Sequence, residues 1–160
     1  MISAPVLITD SCVLIDYAKS AKDALMMLAR EVRVVVPRIL LVEEVHDLSI
    51  NDAPTEALLE AARMPRPLSS FDWLCLILAR DNPRDNNWTC VSNDKRLRAQ
   101  CLSVGVRTKW SLEPLVLLVR RKKLPKERAE KIARAMAEQN PFIGTRIIRR
   151  FISRIRSTRE

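Results

Sequence analysis

Glycine is nearly missing: the 160-residue chain has two, Gly105 and Gly144. A Rossmann or P-loop phosphate cradle needs several residues without a Cβ at fixed spacing, so both are excluded. Histidine is scarcer still, with His46 alone, and the four cysteines (Cys12, Cys75, Cys90, Cys101) stand singly, without a C-x-x-C pair. No zinc ligand set follows from them. Thiols scattered through apolar segments read as buried and free in a reducing cytoplasm. A Cys–His nucleophile pair would require Cys12 or Cys90 to meet His46 in space. No apolar run approaches the length of a membrane span, and no basic start precedes the apolar stretch at the N-terminus. Neither a transmembrane helix nor a secretory signal is expected.

What is present suits one domain with a real core, 48% apolar and 29% charged. The net charge of +9 is unevenly placed. Residues 1–119 hold 14 Lys and Arg against 15 Asp and Glu, while residues 120–160 hold 14 against 4. A basic segment of this kind is an electrostatic footprint for polyanions, nucleic acid first. A solvated basic face, or a surface for an acidic protein, accounts for it equally well.

Short β-branched or apolar runs alternate with helical periodicity. Val6–Ile8 is a strand that ends in Thr9-Asp10-Ser11 and turns into a helix through Ala18. A second helical piece spans Ala21–Ala29, and Val32–Val36 is a buried strand closed by Pro37. Helical spacing returns over Ile39–Leu48, and again from Asp52-Ala-Pro54 to Arg63. Ser69 or Ser70 caps an apolar helix to Arg80. Trp88–Ser92 is a strand, Lys95–Leu102 a basic helix, Val106–Thr108 a short last strand, and Ser111 begins a helix to about Arg121. This alternation predicts an α/β fold, a central mostly parallel sheet covered on both faces. Right-handed crossovers then bring the ends of the strands carrying Asp10 and Asp94 to one edge.

Residues 1–122 form that unit and 123–160 a basic helical extension. In the extension Lys126–Glu138 is one helix, and Asn140-Pro141 reads as the cap and first position of a second. The second carries an apolar stripe, Ile143, Ile147, Ile148, Phe151, Ile152 and Ile155, flanked by Arg146, Arg149, Arg150, Arg154 and Arg156. Such a stripe must be covered by its own domain or by a partner.

Four acids fall where the chain leaves a strand or opens a helix: Asp10, Glu44, Asp72 and Asp94. Singly, each has a plain explanation as a helix cap, a first-turn acid or a solvated side chain. As a set at successive positions of a sheet edge they suit a hard divalent cation, Mg²⁺ or Mn²⁺, which takes carboxylate and water oxygens. The cation also relieves the repulsion among like charges.

These stretches resemble a family. Ile8-Thr-Asp-Ser-Cys-Val-Leu-Ile-Asp16 is similar to the opening motif of PIN domains, and Val36-Pro-Arg-Ile-Leu-Leu-Val-Glu-Glu-Val45 to their second. There the Glu before an aliphatic residue is Glu44, with Glu43 the alternative. Ser69-Ser-Phe-Asp-Trp-Leu-Cys-Leu-Ile-Leu-Ala79 resembles the third motif, and Val91-Ser-Asn-Asp-Lys-Arg-Leu97 the fourth. Cys12 stands where Asn is common and Ser11 where Thr is common. The resemblance covers about residues 5–120 and implies a three-layer PIN-like fold and a Mg²⁺/Mn²⁺-dependent, VapC-like ribonuclease in the cytoplasm. Such a protein is often the toxin of a toxin–antitoxin pair and commonly a homodimer, with RNA and an antitoxin as partners. By the same resemblance Asp10, Asp72 and Asp94 bind metal, and Glu44 is a ligand or orients the attacking water. Ser11 and Ser92 hydrogen-bond the carboxylates or the phosphate, or simply cap helices. Asp16 is peripheral. The basic tail, with Arg146, Arg149 and Arg150, would contact RNA.

Two other readings compete. One is a catalytically silent PIN-like module that grips RNA or protein through its basic end; four converging acids argue against it. The other is a phospho-receiver domain, which has acids at strand ends and a lysine after a late strand, here Lys109. It also needs paired acids after its first strand, where this chain has Asp10-Ser11.

Overall fold

The computed structural model describes residues 5–37, 49–51, 53–82 and 88–158. Its strands are β1 (Val6–Thr9), β2 (Arg33–Pro37), β3 (Ser49–Asn51), β4 (Trp88–Val91) and β5 (Arg107–Lys109), all parallel and ordered β3-β2-β1-β4-β5. β1 is central, and Val6, Leu7 and Ile8 are buried on alternating faces. A parallel strand covered from both sides has no polar face, which is why this run reads as continuously apolar.

Helices α1 (Ser11–Ser20) and α2 (Lys22–Glu31) connect β1 to β2, α3 (Thr55–Arg63) and α4 (Ser70–Arg80) precede β4, and α5 (Lys95–Ser103) joins β4 to β5. After the sheet come α6 (Glu113–Arg120), α7 (Lys126–Gln139) and α8 (Thr145–Ser157). Two apolar cores flank the sheet. One gathers Leu7, Val34 and Val91 with α1, α2, α6, α7 and α8. The other gathers Ile8, Val35 and Cys90 with α3, α4 and α5. The basic extension is thus a continuous part of the first core. Ile148, Phe151, Ile152 and Ile155 of α8 are buried in it, each contributing about 1.5–3 kcal/mol by leaving water.

Several elements differ from the sequence expectation. β3 interrupts a stretch that reads as helical spacing and then a helix start, and it exists through its pairing with β2. A three-residue strand has no periodicity to detect; its partner defines it. Pro54 caps α3 instead of occupying its first turn. Asn140 ends α7, and α8 begins four residues after Pro141, with Gly144 as its cap. Asn140 is drawn instead into a long-range bond: its Nδ2 donates to Asp16 Oδ2 at 2.6 Å, and its Oδ1 accepts from Phe142 N–H at 2.9 Å. Gly105 closes α5 at φ +79°, the left-handed conformation that only glycine adopts without strain. Cys75, Cys90 and Cys101 are buried as expected, whereas Cys12 is exposed. The predicted helix over Ile39–Leu48, and His46 within it, lie outside the described residues. Among the described residues no helix is long and apolar enough to cross a membrane.

Candidate functional site

The sheet order reverses direction between β1 and β4: the chain winds outward from β1 through β2 to β3, then returns to β1's other side. In open α/β sheets the crevice at the carboxyl ends of the strands flanking this switch is where ligands bind. Thr9 of β1 pairs with Val91 of β4, so the residues that leave the sheet there are Asp10 on one strand and Ser92, Asn93 and Asp94 on the other.

Asp10 is 3% exposed. Its Oδ1 accepts from Val13 N–H at 2.9 Å, which caps α1. Its Oδ2 accepts the hydroxyl of Ser92 in a hydrogen bond across the switch. The same Ser92 Oγ accepts from Asp94 N–H at 2.9 Å. Asp94 caps α5, its Oδ1 accepting from Arg96 N–H at 2.7 Å and Leu97 N–H at 3.4 Å. Asp72 stands in the first turn of α4 in a reciprocal capping box. Its Oδ2 accepts from Ser69 Oγ at 2.8 Å and Ser69 N–H at 3.3 Å, while Ser69 Oγ accepts from Asp72 N–H. One turn on, Cys75 Sγ lies 3.6 Å from the Thr9 carbonyl oxygen. That contact fixes the start of α4 beside the end of β1.

Electrostatics ties the three acids together. Burial is the main cause that pushes the Asp10 carboxyl up to about 6. The Ser92 and Val13 hydrogen bonds oppose the rise, and the charges of Asp72 and Asp94 add to it. Asp10 and Asp72 also contribute to the raised Cys75 thiol, which burial dominates. Among the described residues no cationic side chain bonds this buried carboxylate, and two further acids raise its cost, an arrangement common in binding sites.

The sequence candidates therefore divide. Asp10, Asp72, Asp94 and Ser92 come to one edge. Glu44 and its alternative Glu43 lie outside the described residues, as does the side chain of Ser11. Arg146, Arg149 and Arg150 are exposed on α8, and none forms an ion pair among the described residues. Asp16 is buried and belongs to the joint between α1 and α7; burial raises its carboxyl, and the Asn140 hydrogen bond opposes the rise.

Three residues at this edge were not singled out from the sequence. Arg98, one turn beyond Asp94, donates from Nη1 to the Ser92 carbonyl at 2.9 Å, and its guanidinium lies 3.6 Å from the centre of the Trp110 ring. Burial lowers its pKa, and Asp94 and Asp10 pull it back up. Asn93 Oδ1 accepts from Ser111 N–H at 3.3 Å, while its Nδ2 is buried without a partner among the described residues. The signal for Arg98 was its i+4 spacing from Asp94, which places both on one side of the helix. Trp110 carries no such local mark.

Among the described residues no three acidic, cysteine or histidine side chains close into a metal cage. Small hard cations do not require one: Mg²⁺ is usually held by one or two carboxylates, with water and phosphate oxygens completing the shell. The donors fit that demand. Asp72 caps through Oδ2 and Asp94 through Oδ1, so the second oxygen of each has no partner among the described residues, and both Asp10 oxygens keep lone pairs. No family model, curated protein or solved structure matches the chain.

Proposed function

We propose that the edge between β1 and β4 is the active site of a divalent-metal-dependent endoribonuclease with a PIN-like fold. The observation that carries this reading is the buried Asp10 at the switch between β1 and β4, bonded by Ser92 from the end of β4, with Asp94 and Asp72 brought to the same edge. The motif resemblance supports the reaction class, and the doubly wound parallel sheet is compatible with it. Asp10, with Asp72 and Asp94 at the same edge, would hold Mg²⁺ or Mn²⁺ through one or two direct carboxylate oxygens and the ion's water shell, and by the resemblance Glu44 is the fourth acid. The bound cation supplies an activated water and offsets charge on the phosphate oxygens. Ser92 keeps Asp10 Oδ2 oriented through its hydroxyl. Val13 N–H does the same for Oδ1, so the carboxylate does not rotate when a ligand arrives. Arg98 offers a cation beside two acids, placed to meet a phosphate as it enters. Toxin activity against RNA, an antitoxin partner, a homodimer and a cytoplasmic setting come from the resemblance alone.

A second reading, a silent RNA-binding module of the same fold, is favoured by one observation: Asp72 and Asp94 each already serve as helix caps. One assay separates the two. Unlabelled protein is incubated with structured and single-stranded RNA in Mn²⁺, in Mg²⁺ and in chelator, beside Asp10→Asn and Asp94→Asn. A nuclease yields fragments only with metal and only from the unsubstituted chain. Fragments that persist in chelator, or that both variants still produce, would rule the assignment out. RNA bound equally with and without metal, and never cut, establishes the silent module.

A further inference from the structure

After β5 the chain passes through Trp110 before entering α6, and α8 lies alongside. Between them runs a groove of about 410 Å³, within the range of ligand clefts, lined by Trp110, Glu113, Ile147, Arg150, Phe151 and Arg154. Its floor is apolar and aromatic and its rim cationic. Arg154 is paired with Glu113, whereas Arg150 has no ion pair among the described residues, so the rim keeps an uncompensated positive charge. The groove also has a direction. Arg98 packs over the Trp110 ring, donates to the Ser92 carbonyl, and Ser92 in turn donates to Asp10. Trp110 is thus two residues away from the buried carboxylate, and as the residue after Lys109 of β5 it leaves the sheet at the same carboxyl edge.

An aromatic surface with an arginine next to it is the pairing that unpaired nucleotides require: the ring takes the base face and the guanidinium takes the phosphate. A duplex hides its base faces and presents only backbone. We infer that this groove binds an unpaired nucleotide of single-stranded RNA adjacent to the carboxylate edge, its base against Trp110 and its phosphate on Arg150. The identity of the strand rests on the ribonuclease reading; the groove's chemistry does not. Glu113 holds Arg154 back from the phosphate and leaves Arg150 as the principal anion contact.

The test is equilibrium binding of a fluorescent eight-nucleotide oligouridylate and of a duplex RNA of equal length, by anisotropy in chelator, so that no outcome depends on cleavage. Trp110→Ala and Arg150→Gln are each expected to weaken single-strand binding by about tenfold. Trp110→Phe, which retains a ring, should stay within about threefold. Lys131→Gln, the same charge loss on α7 away from the groove, should change single-strand affinity far less than Arg150→Gln. Duplex binding should respond to Arg150→Gln and ignore Trp110→Ala. Unchanged single-strand affinity in both Trp110→Ala and Arg150→Gln overturns the inference. So does a shift from dimer to monomer in either variant with RNA binding intact, which would make the groove an interface between copies. If circular dichroism shows that Trp110→Ala fails to fold, Trp110→Phe and Arg150→Gln decide alone. Cleavage with no groove effect removes the groove and keeps the nuclease; a groove effect with no cleavage in any metal does the reverse.

Discussion

At the carboxyl edge of the sheet, Asp10 is buried and ends in hydrogen bonds to a hydroxyl and a backbone N–H, with two further acids adding to its cost. On α7 and α8 the charges are treated in the opposite way. Arg156 pairs with Glu130 at 2.8 Å, Arg154 with Glu113, and Arg128 with Asp23 of α2, all near solvent. The first region buries one carboxylate, Asp10, beside the partly exposed Asp72 and the exposed Asp94, and the second pairs several of its charges at the surface, where screening leaves each pair worth little. α8 is held by its apolar seam, so Arg146, Arg149 and Arg150, which form no ion pair among the described residues, are free to serve something else. Asp10 serves the fold as the cap of α1, but a cap does not require burial beside two further acids, which is why function is sought there.

The comparison can be broken most decisively at Asp10. Asp10→Asn is expected to lower metal-dependent RNA cleavage by about 10³-fold or more, read as initial rate under single-turnover conditions. The same substitution should stabilise the metal-free fold. A carboxyl raised from 3.8 to about 6 binds its proton more tightly folded than unfolded, so its contribution is complete below pH 4 and is lost as pH rises through about 6. The variant's advantage over the unsubstituted chain should therefore grow by roughly 2–3 kcal/mol between pH 4 and pH 7.5. Thermal melts at both pH values check it, and an advantage independent of pH would show that Asp10 is not destabilised by its surroundings.

The joint between the two regions comes next. Asn140→Ala removes the bond to buried Asp16 and leaves that carboxylate unsatisfied, at a cost of about 2–3 kcal/mol. In a chain of this length that lowers Tm by about 4–12 °C. On the basic helix, replacing Arg146, Arg149 and Arg150 together with Gln should flatten the salt dependence of RNA binding by about two in log–log slope and leave Tm nearly unchanged. The smallest effect belongs to the surface pairs. Arg156→Gln should leave the midpoint of chemical denaturation nearly unchanged, and a clear downward shift would mean that α8 depends on its ion pairs after all.

Much of the fold was legible because its signals are local. Val6–Ile8 and Val32–Val36 are short apolar runs closed by breakers, a serine at 69 or 70 reads as the cap of α4 and proves to be Ser69, and the Ile and Phe stripe of α8 repeats at helical intervals. β3 was not legible, since a strand of three residues is defined by its neighbour. The start of α8 was misplaced because Asn140-Pro141 has the local form of a cap. Asn140 instead serves Asp16, 124 residues away. At the site the acids were visible as types at strand ends, while Arg98 and Trp110 were not, since their stacking joins α5 to the segment after β5.

By itself the amino-acid sequence determined the alternation of strand and helix, the buried faces and the positions where acids leave the sheet, because periodicity and capping act within a few residues. Tertiary structure alone decided that β1 and β4 lie side by side, that Ser92 reaches Asp10, and that Arg98 links Trp110 to Ser92. Those facts depend on strand order and on burial, which raise the electrostatic cost of a carboxylate only once distant segments have packed around it.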